Sequence, residues 1–125
     1  MSVTNLAEKA YARPSSPSRT TRGVEYDLLA RVTRELGSAW ETRDGNFPKL
    51  AQALHDNLRL WSVFASDVSD EDNGLPQKLR GQIYYLYRFT EQHSRKVLKG
   101  NATVEVLIDI NTAVMRGLRG GGDAR

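Results

Sequence analysis

Residue types that build active sites and metal centres are scarce in this 125-residue chain. It has no cysteine and only two histidines, His55 and His93. The lack of cysteine excludes disulfides, thiolate zinc sites and cysteine nucleophiles, so a metal site would have to rely on carboxylates. No serine or carboxylate is placed by the sequence to form a triad with either histidine. We therefore expect no catalytic residues, no metal and no cofactor, and a protein that is not an enzyme.

Long apolar runs are missing as well. No stretch approaches the roughly 18 apolar residues of a membrane span, and the opening segment MSVTNLAEKAYARP has no apolar core of the kind found in a secretory signal. The chain is 26% charged and 39% hydrophobic, which is typical of a folded protein and not of a disordered one. The expectation is a single domain in the cytoplasm, without a membrane span.

Positive charge is present but not concentrated. The net charge is +3 and the basic residues are spread along the chain, which favours an ordinary solvated surface over a dedicated nucleic-acid patch. Contact with RNA is the less favoured interpretation. It would use the arginines near the two ends of the chain: Arg13, Arg19, Arg22, Arg116 and Arg119.

Apolar residues recur at spacings of three and four, which is typical of helices with one buried face. This pattern predicts four main helices over about residues 24–41, 48–68, 76–98 and 103–118. No segment alternates with a period of two, so we expect an all-α, single-domain antiparallel helical bundle with a short additional N-terminal helix at 3–12. The predicted division is an N-terminal helix and linker at 1–23, the bundle at 24–118 and a flexible tail at 119–125.

An acidic segment at residues 69–74, SDEDNG, resembles a calcium-binding loop. When Gly74 is aligned with the glycine that such a loop requires, Arg80 falls where the last, bidentate carboxylate has to be. The segment is therefore interpreted as a solvated connector with carboxylates near the start of the third helix.

Two asparagines fall within predicted apolar stripes. Asn57 lies in the middle of the second helix's stripe and Asn111 in the middle of the fourth helix's stripe, so both are expected to be buried. A buried amide without partners costs about 1–3 kcal/mol. Each is therefore expected to bond to the other, to a free backbone group at a helix end, or to a bound partner. A core amide that fixes helix register is the favoured interpretation.

The segment GQIYYLYRFTEQHS, residues 81–94, has more aromatic residues than one buried face needs. Helical spacing places Tyr84 and Tyr85 outside the apolar arc, with Arg80 and Arg88 on the same flank as Tyr84. Tyrosine and arginine are enriched where partner proteins bind, which makes these four residues candidates for partner binding. The alternative is that the N-terminal segment of the chain folds back and covers the two tyrosines.

A series of motifs extends over nearly the whole chain: AYA at 10–12, EYDLLARVT at 25–33, ALHDNLRLW at 53–61, NGLPQKLRGQI at 73–83 and LIDINTAVMRGLRG at 107–120. In this order, the motifs resemble the FlaF family, flagellar biosynthesis regulators of alphaproteobacteria.

The resemblance implies a small cytoplasmic, non-enzymatic helper for flagellin synthesis and secretion. Its implied partners are flagellin, which it would hold like a chaperone, and the companion regulator FlbT. An alternative is post-transcriptional control of flagellin expression through RNA or through FlbT. An all-helical domain with exposed aromatic residues is a plausible receptor for amphipathic helices.

Overall fold

The computed structural model describes the backbone of residues 18–74 and 76–120, and side chains within residues 23–74 and 76–118. Within these ranges all regular structure is helical, which confirms the all-α prediction. The predicted short helix at 3–12 lies outside the described residues. In chain order the elements are α1 (Ser18–Glu41), α2 (Phe47–Ser69), a 3₁₀ turn (Glu71–Asn73), α3 (Gln77–Leu98) and α4 (Glu105–Gly120).

The first helix is longer than its apolar pattern predicted. It begins at Ser18, so residues 18–23, which were assigned to a linker, form its first turns. Pro17 lies just before this start, and the following serine, arginines and threonines are tolerated in a helix, with Gly23 as the one costly residue. At the other end of the chain, α4 continues to Gly120, two residues into the predicted tail.

The start of α2 shows how the loops set the helix boundaries. Asn46 caps this helix, with its side-chain oxygen 3.3 Å from the backbone nitrogen of Lys49. Pro48 occupies the first turn, where a missing N–H costs nothing. The predicted start of α2 at Pro48 is therefore correct to within one residue.

The helices bury two neighbouring apolar clusters. Helix α1 packs against α2 and α4, and α2 also packs against α3. One cluster consists of Leu29, Trp61, Phe64, Val68, Leu79, Ile83, Val114 and Leu118. The other consists of Leu36, Ala39, Leu50, Ala53, Leu54, Val97, Val104 and Leu107.

The buried face of α1 differs from the predicted stripe at its first turns. Val24, the first residue of the helix predicted from apolar spacing at 24–41, is 53% exposed, while Glu25 is buried. The buried line runs from Glu25 through Leu29 and Val32, about 100° around the helix from Val24. Val24 therefore belongs to the surface of the protein.

A chain of buried hydrogen bonds joins α1, α2 and α4. Asn57 and Asn111 are both fully buried, where helical spacing predicts them. The amide nitrogen of Asn111 donates to Asn57 Oδ1 at 2.8 Å and to Thr33 Oγ1 at 3.1 Å. The indole N–H of Trp61 donates to Asn111 Oδ1 at 2.9 Å. All three of these hydrogen bonds join Asn111 to side chains of the chain itself. They therefore favour the interpretation that Asn111 fixes helix register over the interpretation that it binds a partner.

Gly100 ends α3, and its substitution gives a stability test of the fold. Its φ is +79°, and the next residue, Asn101, donates a backbone hydrogen bond to Lys96 at 2.9 Å. An alanine there would adopt a left-handed conformation, so Gly100→Ala is expected to lower the free energy of unfolding by about 1–2 kcal/mol in urea titrations.

The matched control is Gly81, which lies inside α3 with open space where a Cβ would be added. Gly81→Ala is expected to raise the free energy of unfolding by about 0.5–1 kcal/mol, because alanine favours the helix. If both substitutions changed the free energy of unfolding in the same direction, the assigned end of α3 would be wrong.

Candidate partner-binding surface

The outward side of α3 exposes both tyrosines that were predicted to bind a partner. Tyr84 is 43% exposed and Tyr85 is 65% exposed. The side of α3 that faces the core is occupied by other residues: Leu79, Ile83, Thr90, Ser94 and Val97. The two tyrosines therefore contribute little to the core, and their exposed ring surface is available to a binding partner.

Tyr84 is held in a defined position by its neighbours on the same helix. Its ring lies 5.9 Å from the ring of Tyr87 in a tilted arrangement. A side-chain hydrogen bond with Tyr84, and then the carboxylate of Glu91, raise the pKa of Arg88 above its usual value. Arg88 therefore keeps its positive charge beside an exposed aromatic ring, which is a combination common in protein interfaces.

Glu91 continues this arrangement along α3. Its two carboxylate oxygens lie 3.2 Å from Arg88 Nε and 3.3 Å from Arg95 Nη2. The guanidinium groups are at least half exposed, so these ion pairs contribute little to stability. Their effect is to orient Arg88 next to Tyr84. We refer to Tyr84, Tyr85 and Arg88 as the tyrosine face.

Arg80 has a different role from the one its flank suggested. Its Nε donates to the backbone carbonyl of Val68 at 2.7 Å and its Nη2 to that of Asp70 at 2.9 Å. These carbonyls lie at the C-terminal end of α2, where helix geometry leaves acceptors without intrahelical donors. Arg80 ties α2 to α3 within the chain, and it is therefore left out of the tyrosine face.

A second apolar surface lies at the end of the molecule where α1 meets α2 and α3 meets α4. A groove of about 600 Å³ there has Trp40, Leu50 and Val97 among its lining residues. Phe47 and Leu98, which also line it, are 49% and 40% exposed. We call this the end groove. Helical periodicity does not predict the end groove, because Phe47 and Leu98 are the first and last residues of their helices, where periodicity does not decide burial.

The remaining candidate residues are dispersed. His93 is half-buried, stacked on Phe89 at 5.4 Å, and its Nε2 lies 2.7 Å from the carbonyl oxygen of Thr103; His55 is exposed. Among the described residues there is no cluster of three potential metal ligands. Of the arginines considered for RNA contact, Arg116 is exposed on α4, and the side chains of the other four lie outside the described set.

Comparison with known proteins connects this geometry to a family. A family model described as flagellar protein FlaF matches residues 7–118, which is most of the chain and includes both the tyrosine face and the end groove. The chain belongs to the FlaF family. Its role is therefore related to the flagellum.

Two other comparisons give no further information on the function of this FlaF-family chain. The comparison with curated proteins and the comparison with solved structures give no match. None of the helices within residues 18–74 and 76–120 is long and apolar enough to cross a membrane.

Proposed function

We propose that this FlaF-family chain is a non-enzymatic, cytoplasmic helper that binds flagellin through the tyrosine face and supports its synthesis and secretion. The observation that carries this proposal is the exposure of Tyr84 and Tyr85 on a helix whose core-facing side is occupied by other residues. FlbT is the proposed companion in regulation. Family membership supports a flagellar partner, and the tyrosine face supports the mode of binding.

The chemistry of the tyrosine face suits an amphipathic helix as ligand. Tyrosine rings offer a large apolar contact area at low entropic cost, and their hydroxyl groups tolerate water when no partner is bound. Arg88 can pair with an acidic residue beside the apolar stripe of the incoming helix. Helices that present an apolar stripe polymerise or aggregate when left uncovered, so covering the stripe would be the chaperone-like activity.

The proposed architecture behind this surface is an antiparallel bundle. Each helix is joined to the next by a short connection, and α1 packs on α2 while α2 packs on α3. Two consecutive helices that are joined by a short connection usually pack side by side and antiparallel. This arrangement would hold α3 with its tyrosine face directed away from the other helices.

A binding experiment with monomeric flagellin tests the proposed site. We expect the purified chain to form a complex of defined mass, and the double substitution Tyr84→Ala/Tyr85→Ala to weaken binding by about 30-fold, the effect of losing about 2 kcal/mol of interface energy. Light scattering gives the mass and stoichiometry, and calorimetry gives the affinity.

Phe47→Ala is the matched control, since Phe47 is an equally exposed aromatic residue in the end groove. It is expected to leave the affinity for flagellin unchanged. Normal binding by the double tyrosine variant would reject the tyrosine face, and a loss confined to Phe47→Ala would move the site to the end groove. Absence of any complex with the unmodified chain would reject flagellin as the direct partner.

A further inference from the structure

Among the described helices, the excess of positive charge lies on α3. This helix contains five basic residues and one acidic residue, which gives it a net charge of +4 with histidine counted as neutral. In each of the other three helices the numbers of basic and acidic residues are equal. The five basic residues of α3 are Lys78, Arg80, Arg88, Arg95 and Lys96, and Lys99 follows the helix directly.

The basic residues near the end of α3 lie on the same side of the helix as the tyrosine face. Arg95, Lys96 and Lys99 are all exposed, and we call them the basic strip. At about 100° per residue, the basic strip and the tyrosine face together fall within an arc of about 120°. From Tyr84 to Lys99 this surface extends over about 22 Å along the helix axis, or four helical turns.

The one acidic residue of α3 offsets this charge only in part. Glu91 is shared between two guanidinium groups, with its oxygens 3.2 Å from Arg88 Nε and 3.3 Å from Arg95 Nη2. One carboxylate therefore faces two cations. The two lysines of the basic strip add further positive charge at the end of the helix, within about one turn of each other.

Acidic residues of the neighbouring loops do not cancel the basic strip. Residues 70–72 are acidic, but they precede the start of α3, whose 22 residues extend over about 33 Å. This distance is several times the Debye length of about 8 Å at physiological ionic strength. In the end groove, Asp44 is accompanied by Arg43 as well as by Lys99, so this part of the surface also keeps a positive balance.

The arrangement of this surface favours a protein helix over a nucleic acid as its ligand. Nucleic acid bases stack on open aromatic rings, whereas the ring of Tyr84 lies against that of Tyr87 at 5.9 Å. Glu91, between the cations, would repel a continuous row of phosphates. A helix can place its few carboxylates beside the cations and its apolar side chains on the tyrosines.

We propose that the segment bound here is a helix of about four turns with an apolar end on the tyrosine face and an acidic end on the basic strip. The inference rests on the proposed function for the position of the binding surface and adds the chemical class of the ligand. Because Lys96 and Lys99 are about one turn apart, the acidic end has at least two carboxylates at that spacing. Complementary charges of this kind speed association and fix the orientation of the ligand.

Charge reversal on the basic strip tests this inference with monomeric flagellin. In the double variant Lys96→Glu/Lys99→Glu, we expect association to be at least about ten times slower than in the unmodified chain at about 50 mM NaCl. At about 500 mM NaCl the difference should shrink to about twofold, because salt screens exposed charges. Stopped-flow fluorescence measures the rates, and circular dichroism checks that the variant is folded.

The matched control is Arg31→Glu/Arg34→Glu, which makes the same change in net charge at two exposed arginines of the neutral helix α1. Its association rate at about 50 mM NaCl should stay within about threefold of that of the unmodified chain. Equal slowing in both variants would show an effect of net charge alone and would overturn the inference. Flagellin binding that is insensitive to salt and to both variants would also overturn it, while leaving the proposed function intact.

Two synthetic helical peptides test the ligand class without flagellin. They share an apolar stripe at one end, and the other end has glutamates in one peptide and lysines in the second. We expect the glutamate peptide to bind the unmodified chain at least about ten times more tightly in fluorescence anisotropy, and this preference to disappear in Lys96→Glu/Lys99→Glu.

The peptide experiment also separates this inference from the proposed function. A preference for the glutamate peptide without any complex with flagellin would reject flagellin as the partner and support the ligand class. Equal affinities, or no binding of either peptide, would overturn the inference. Tighter binding of a single-stranded RNA of about 15 nucleotides would also overturn it and would assign the surface to nucleic acid.

Discussion

Replacing Asn111 with leucine is expected to lower the free energy of unfolding by about 2–5 kcal/mol. The substitution removes the acceptor of the Trp61 indole N–H and the donor to Asn57 Oδ1, both of them fully buried. Each buried polar group left unpaired costs about 1–3 kcal/mol, and the added apolar surface of leucine offsets only part of this. Urea unfolding followed by circular dichroism measures the change.

Ala113→Leu is the control for this experiment, because Ala113 is an exposed position two residues further along α4. It adds the same side chain without disturbing the hydrogen bonds, and its expected effect is within about 0.5 kcal/mol. If Asn111→Leu left stability unchanged or increased it, the amide would not be fixing the packing of α1, α2 and α4. Loss of flagellin binding in such a stable variant would instead support a role in binding a partner.

Trp61→Ala is expected to have an effect at least as large. Trp61 is fully buried, its ring meets that of Phe64 edge to face at 5.3 Å, and its N–H group binds Asn111. Removing a buried tryptophan side chain costs about 3–5 kcal/mol, a large part of the 5–15 kcal/mol that stabilises a typical domain. We expect a strongly reduced urea midpoint, or a chain that is partly unfolded without denaturant.

Two further variants separate the contributions of the tryptophan. Trp61→Phe keeps an aromatic ring but removes the N–H donor, so about 1–3 kcal/mol should be lost. Combined with Asn111→Leu, its effect should be smaller than the sum of the two single effects, because both remove the same hydrogen bond. Additive effects would show that the bond between Trp61 and Asn111 contributes nothing specific.

Trp40→Ala is the matched tryptophan control. Trp40 lies at the edge of the core, where the guanidinium carbon of Arg43 is 3.8 Å from its ring centroid. Because this ring is only partly buried, its removal should cost less than half as much as removal of Trp61. An equal cost would contradict the assigned difference in burial.

The sequence predicted the helices and their inward faces because hydrophobic periodicity is a property of one helix at a time. The angle of 100° per residue suffices to place Asn57 and Asn111 inside and Tyr84 and Tyr85 outside. It does not identify the hydrogen-bond partners of the asparagines. Trp61 and Thr33 are 50 and 78 residues from Asn111 along the chain, and only packing of α1, α2 and α4 brings them together.

Arg80 shows that helical spacing within one helix does not identify the contacts that a side chain makes with another helix. Helical spacing placed it beside Tyr84, and that placement suggested partner binding. Its guanidinium instead binds two carbonyls at the end of α2. These acceptors become available only because α3 packs against α2 and because a helix leaves its last carbonyls without intrahelical partners.

By itself, the sequence determined that the described part of the chain is helical, which residues form most of each inward face, and which two tyrosines remain outside. The tertiary structure decided the surfaces made by more than one helix. It exposed Val24, Phe47 and Leu98, formed the end groove, and directed Arg80 to the backbone carbonyls of Val68 and Asp70. The physical reason is that burial at a helix edge or end depends on how far the neighbouring helix extends, which local periodicity does not specify.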